Sequence, residues 1–168
     1  MKKTVIVLLF SFGFLSAQVY NIGDVVADFN DPYCDNGEGI LNLYDYFYEQ
    51  NGGDQYVIWI NLFTSWWPSC QSEAPITETI YQTYKDQGLI VIGAGFQWNQ
   101  PYSCTEWAST FGITYPMVDD DSQSIWNLFG EGYIPHNVII DHTMTLRYSA
   151  IGFNQSTVVN TIETYLAE

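Results

Sequence analysis

Ser65-Trp66-Trp67-Pro68-Ser69-Cys70 is the stretch on which the reading of this chain turns. An apolar run, Tyr56-Val-Ile-Trp-Ile-Asn-Leu-Phe63, leads straight into it and reads as a strand buried on both faces, as in the centre of a sheet. Pro68 is suited to the first position of a helix, where a missing N–H is not needed. That helix is predicted to run to about Gln87 and to end before Gly88, with Ile76, Ile80, Tyr81 and Tyr84 recurring at helical spacing. Strand, tight turn and helix thus place Cys70 about one turn into a helix at the carboxyl end of a buried strand.

The rest of the chain extends this pattern. Asp24–Phe29 and Ile40–Leu43 bracket a polar loop and read as an N-terminal β-hairpin or two short strands, followed by a short helix over Tyr44–Glu49. Leu89–Phe96 is a second buried strand. A helix is predicted from about Thr105 to Phe111, a short strand over Tyr115–Val118 and a short helix over Ser124–Phe129. Asn137–Asp141 and Thr145–Ile151 read as a hairpin turning at His142-Thr143. Asn154 can cap a final helix whose Val158, Ile162 and Leu166 share one face. Helices alternating with strands, closed by an antiparallel hairpin, make an α/β domain with a mixed sheet.

Composition narrows the setting. The chain of 168 residues suffices for one domain with a real core. Its start, Met1-Lys2-Lys3, then an apolar stretch from Val5 to Leu15, then Ser16-Ala17-Gln18, reads as a secretory signal peptide over residues 1–17. At about 11 residues that stretch falls short of the ~20 that a membrane span needs. Residues 18–168 would then form the mature domain, exported to a periplasmic or extracellular location and without a membrane span. Two basic residues, Lys85 and Arg147, would remain against 19 acidic ones, a formal charge of −17. Such a charge argues against nucleic acid or an anionic membrane as partner, since both require Lys and Arg to neutralise phosphate. Solubility is the plainer explanation of the charge.

Four motifs in order coincide with one family. Residues 65–70 match a Trp-Cys-x-x-Cys active-site motif except that Trp67 stands where the first cysteine belongs. Glu73-Ala74-Pro75 matches an acidic-then-proline continuation. Tyr115-Pro116 followed by Asp119 matches the strand before the next helix, and Ile134-Pro135 before Asn137–Asp141 matches a cis-proline and its following strand. The chain resembles the thioredoxin-like redoxins of the exported thiol–disulfide oxidoreductase branch, related to the alkyl hydroperoxide reductase group, over roughly Ile22 to Leu166. The resemblance implies a thioredoxin-like fold with an N-terminal hairpin extension. It also implies catalytic-site positions at Trp67, Cys70 and Pro135, with no cofactor and no metal.

In the usual chemistry the first cysteine is the attacking thiolate, so its replacement by Trp67 implies weak or altered activity. Cys70 matches the resolving cysteine, either a redox thiol or a buried, inert one. Cys104 offers a rescue: its loop, Gln97–Cys104, follows a strand expected beside Tyr56–Phe63 and should approach Trp67–Cys70. A Cys70–Cys104 pair and a Cys34–Cys104 structural staple both stay open, as does a free surface thiol at Cys34. Pro135 would shape a groove for an extended peptide or a thiol-containing protein, or simply a tight turn. The competing function is a non-catalytic binding or structural module.

Three further features read more plainly. His136 would point near Cys70, though two ligands do not make a metal site; His142 reads as solvated. Asp119-Asp120-Asp121 and the Asp31, Asp35, Glu38 group lack the spacing of a calcium loop and read as solvated acidic turns. Trp66, Trp67, Phe96, Trp98, Tyr102 and Trp107 read mostly as core, a few of them lining an apolar groove.

Overall fold

A computed structural model describes residues 19–168; the predicted signal segment, residues 1–17, lies outside the described residues. The elements are β1 (Asn30–Asp35), β2 (Ile40–Asn42), a 3₁₀ turn at Leu43–Tyr46, β3 (Val57–Thr64), α1 (Pro68–Tyr84), β4 (Leu89–Phe96), α2 (Cys104–Phe111), β5 (Met117–Asp119), α3 (Trp126–Phe129), β6 (His136–Ile140), β7 (Leu146–Ile151) and α4 (Gln155–Leu166). They build a seven-stranded sheet in the order β2-β1-β5-β4-β3-β6-β7. β3 pairs parallel with β4, and β4 with β5, whereas β6, β7, β1 and β2 join antiparallel. This is the expected mixed α/β sheet, with the hairpin β1–β2 added at one edge.

β3 and β4 are apolar on both faces because both are covered. Trp59 and Phe63 pack with Cys70, Ala74 and Ile80 of α1, Trp107 of α2, and Val158 and Ile162 of α4. Ile58, Ile60 and Leu62 point the other way, against Val26, Phe29, Leu41, Leu43, Ile125 and Phe129. The period of two along each strand thus divides one chain between two cores. Burying one such aliphatic side chain contributes about 1.5–3 kcal/mol.

The first arm of the hairpin differs from expectation. Asp24–Phe29 forms no strand and its backbone pairs with the sheet at one isolated bridge, Val25 to Thr145, while the polar segment expected as loop is β1. Asp31 explains the reversal. It faces inward on β1 and is buried, and Ser124 donates its hydroxyl to Asp31 Oδ2. A carboxylate satisfied this way can occupy a core position that hydropathy assigns to solvent.

The helix ends follow local chemistry. Pro68 opens α1, and Pro75 inside it removes the N–H that the Gln71 carbonyl would otherwise receive. A short 3₁₀ turn, Lys85–Gln87, continues to Gly88, whose φ of 104° only glycine adopts freely. Ser103 and Glu106 form a reciprocal capping box on α2. Asn154 accepts from the Thr157 N–H at 3.1 Å, the cap predicted for α4. Among the described residues no helix is long and apolar enough to cross a membrane.

Candidate functional site

The site lies at the carboxyl ends of β3 and β4, whose full-length parallel register brings Thr64 opposite Phe96. The chain leaving β3 is tied to the chain leaving β4. Ser65 Oγ reaches the carbonyls of Gln97 and Gln100 at 3.3 Å each, and Trp66 Nε1 donates to Gln97 Oε1 at 2.8 Å. Gly95 leaves room for the Trp98 indole to lie across β4, where any Cβ would collide with it. The expected approach of the Gln97 loop to the motif is therefore realised through Ser65 and Trp66.

Trp67 sits at the N-cap of α1, its indole edge-to-face with Trp66 at 5.4 Å and 81°. Both rings remain about two-fifths exposed, Trp66 at 42% and Trp67 at 40%. Cys70 lies beneath, in the first turn of α1, and is only 2% exposed. Burial pushes its thiol up to about 12, and the Glu73 carboxyl adds to the shift. A helix N-terminus ordinarily favours the thiolate. Here desolvation outweighs it, so at neutral pH Cys70 is a protonated, covered thiol.

Of the open cysteine pairings, the structure realises Cys34–Cys104, with Cα atoms 6.0 Å apart and 70 residues between them in sequence. This corrects two readings: Cys104 as a partner for Cys70, and Cys34 as a free surface thiol. The reason is topological. β1 lies next to β5 at the sheet edge, and the buried start of α2 comes down onto it. Cys70 is the free cysteine among the described residues.

Beside Cys70, sequence reasoning missed a buried polar relay. Trp59 Nε1 donates to Asn137 Oδ1 at 2.7 Å, Asn61 Nδ2 donates to the same oxygen at 3.2 Å and to Glu73 Oε1 at 2.9 Å, and Asn137 Nδ2 donates to the Gly152 carbonyl at 3.0 Å. Glu73 Oε2 has no protein partner. Burial pushes the Glu73 carboxyl up to about 8, which keeps it protonated at neutral pH. Asn61, polar in the middle of an otherwise apolar run from Val57 to Phe63, was the available signal for this relay.

Pro135 follows a cis peptide bond, as the resemblance implied. It borders a hollow of about 510 Å³ with Trp67, Ser69, Glu73, Ile134 and Phe153. On the other side of Trp67 a hollow of about 290 Å³ is walled by Trp66, Phe96, Trp126 and Tyr133, with Thr64 also lining it. Trp126 and Tyr133 were not anticipated. Tyr133, in a Gly-Tyr-Ile-Pro run just before the cis-proline, is 73% exposed, and that run was the signal available. Trp98 and Trp107, by contrast, are buried core, as read.

Two other readings are corrected. His136 pairs in register with Leu62, so it lies on the opposite sheet face from Cys70. Its Nε2 is 2.8 Å from Ser149 Oγ, and burial holds the ring below its usual value and hence neutral. Nor is Asp119-Asp120-Asp121 simply a solvated turn. Asp120 is buried and accepts from the N–H groups of Ile125 (3.0 Å) and Trp126 (2.8 Å) at the start of α3. Asp119 accepts from Trp98 Nε1 at 3.0 Å and Asp121 from the Gln97 N–H at 2.7 Å, so the acidic run anchors the loop beside the motif.

Comparison with known proteins agrees with this geometry. A model of the AhpC/TSA family matches residues 22–149. Over 99 residues the chain is 32% identical to Protein DipZ of Mycobacterium bovis, covering 56% of this chain and 14% of that protein. Over 85 residues it is 28% identical to the thiol-disulfide oxidoreductase ResA of Geobacillus kaustophilus, covering 50% of this chain and 48% of that protein. The matched segment thus spans less than half the length of either relative. Among solved structures, a thiol:disulfide interchange protein of the thioredoxin family from Chlorobium tepidum superposes with a TM-score of 0.70 at 17% identity, covering 88% of this chain and 99% of that one. At that identity the likeness speaks for the thioredoxin-like fold alone.

Proposed function

Because the chain belongs to the AhpC/TSA family, with thiol–disulfide oxidoreductases among its relatives, we propose that it is an exported thioredoxin-like domain, residues 18–168, that keeps the family's binding surface and has lost dithiol exchange. One observation carries the reading: Cys70 is the free cysteine among the described residues, and it is buried, with its thiol held up at about 12. Exchange needs a thiolate to attack a disulfide, forming a mixed disulfide and releasing one thiol. A second thiol must then attack the first sulfur and release the other. Trp67, at the exposed N-cap, cannot attack, and Cys104 is bonded to Cys34. Cys70 alone has neither the exposure to begin the cycle nor a partner to finish it.

What remains is a surface. The hollow bordered by Pro135, Phe153 and Trp67 suits an extended peptide of a partner protein, with Pro135 shaping the groove. Export is supported by the basic and then apolar start of the sequence and by the Cys34–Cys104 disulfide, which an oxidising compartment would preserve.

Insulin reduction driven by dithiothreitol tests the proposal on the domain as exported. The parent and a Cys70→Ser variant are both expected to match the rate without protein. Turnover by the parent that Cys70→Ser abolishes would instead make the domain a reductase working through Cys70.

A further inference from the structure

We infer that the hollow between Trp66, Trp67, Trp126 and Tyr133 receives a lysine side chain of a partner protein, its ammonium group held against the indole faces. Trp66 and Trp67 meet at 81°, forming one aromatic corner, and Phe96 and Trp126, 5.3 Å apart, form a second. Tyr133, 73% exposed, lines the hollow as well. Ring pairs inclined at 81° and 51° around a hollow of about 290 Å³ line it with aromatic surface, which attracts a cation through the ring quadrupoles.

Charge selects the occupant. The chain carries a formal −15, and no lining residue is basic. The two Lys and Arg side chains among the described residues are engaged elsewhere: Arg147, on β7, pairs with Asp141, and Lys85, just past the far end of α1, lies over Tyr81. Two acids adjoin the lining. Asp121 is exposed and holds the backbone of Gln97, and exposed Glu131 directly precedes Gly132. The opposing element is the positive end of α1, but Pro68 at its first position has no N–H to present.

Thr64 distinguishes lysine from arginine. It is buried and lines the hollow, and its Oγ1 has no hydrogen-bond partner. Gln97 and Gln123 are the other polar side chains of the lining, and Gln97 Oε1 already accepts from Trp66 Nε1, so the few free acceptors among mostly aromatic walls suit a compact ammonium on a slender alkyl stem. A guanidinium fork, with five donors in a plane, would leave most of them unpaired.

This inference does not depend on the fate of Cys70, since binding is read without any thiol step. The test is titration of the full domain, followed by tryptophan fluorescence and calorimetry, with a capped glycine-rich pentapeptide bearing one central lysine. Its counterpart carries norleucine, with the same stem and no charge. The lysine peptide is expected to bind about tenfold more tightly than the norleucine peptide, and to weaken as salt rises. Tyr133→Ala, at an exposed position where folding is not at stake, should lose several-fold in affinity; Trp126→Leu should lose more, with circular dichroism reporting whether it folds. Equal affinity for the two peptides would reduce the site to an apolar groove and overturn the inference. So would tighter binding of an arginine peptide or of a neutral disaccharide, no binding at all, or a Tyr133→Ala variant as tight as the parent.

Discussion

Trp67→Cys is expected to convert the domain into an active disulfide reductase, raising insulin reduction on the order of a hundredfold above the parent. An intramolecular thiol would resolve the mixed disulfide at an effective concentration that no free thiol approaches. The scaffold around the substitution is already suited to the task. Position 67 is the N-cap of α1 and is 40% exposed, where the helix N-terminus stabilises a thiolate that water can still reach. Three residues on, Cys70 lies one turn further along the same face, within reach of a disulfide. The introduced thiolate would attack the substrate disulfide and release one substrate thiol. Cys70 would then attack the sulfur at position 67, release the second thiol and leave the domain oxidised for dithiothreitol to reduce. Adding Cys70→Ser to Trp67→Cys should remove the gain. A Trp67→Cys variant no faster than the parent would mean that the site lacks more than a nucleophile at position 67.

The second large effect concerns pH. The Glu73 carboxyl is raised from 4.5 to about 8 in the folded domain by burial. Below the ordinary value both folded and unfolded chains hold the proton, and the group's contribution is fully present. As pH rises from about 4.5 to 8 the unfolded chain releases its proton while the fold retains it, so stability falls, and it levels off above 8. Asp120, raised to about 6 by burial, adds a smaller fall in the lower part of the same window. Glu73→Gln keeps the oxygen that accepts from Asn61 Nδ2 and removes the titration. Urea unfolding at pH 5 and pH 9 should therefore show the parent losing on the order of 4 kcal/mol more than Glu73→Gln across that interval. Parallel losses would mean that Glu73 titrates normally.

Much of the fold was legible because its decisive elements are governed by local rules. Leu89–Phe96 is apolar on both faces and bounded by Gly88, so its limits as β4 could be read directly. Asn154 announced its helix by the capping rule. β1 was misread because Asp31 occupies an inward position, and its partner Ser124 lies 93 residues away. The same limit applies at the site. The motif from Ser65 to Cys70 could be read, but the burial of Glu73 depends on Asn61 from β3 and on Asn137 from β6. His136 went to the wrong face because strand register, not proximity to Pro135, decides where it points. The choice among three cysteine pairings likewise depended on β1 being drawn under α2. Trp126 and Tyr133 join the aromatic hollow only because α3 and the segment before Pro135 fold over the end of β4.

The proposed function rests on Cys70 being a solitary, covered thiol among the described residues, behind Trp67 at the start of α1. Alkylation of the native domain at neutral pH, followed by denaturation, a second distinguishable alkylating agent and a mass-spectrometric map of the disulfides, tests it most directly. The expected result is a Cys34–Cys104 linked peptide, with Cys70 carrying only the second label. A Cys70–Cys104 link, or rapid labelling of Cys70 in the native domain, would contradict it.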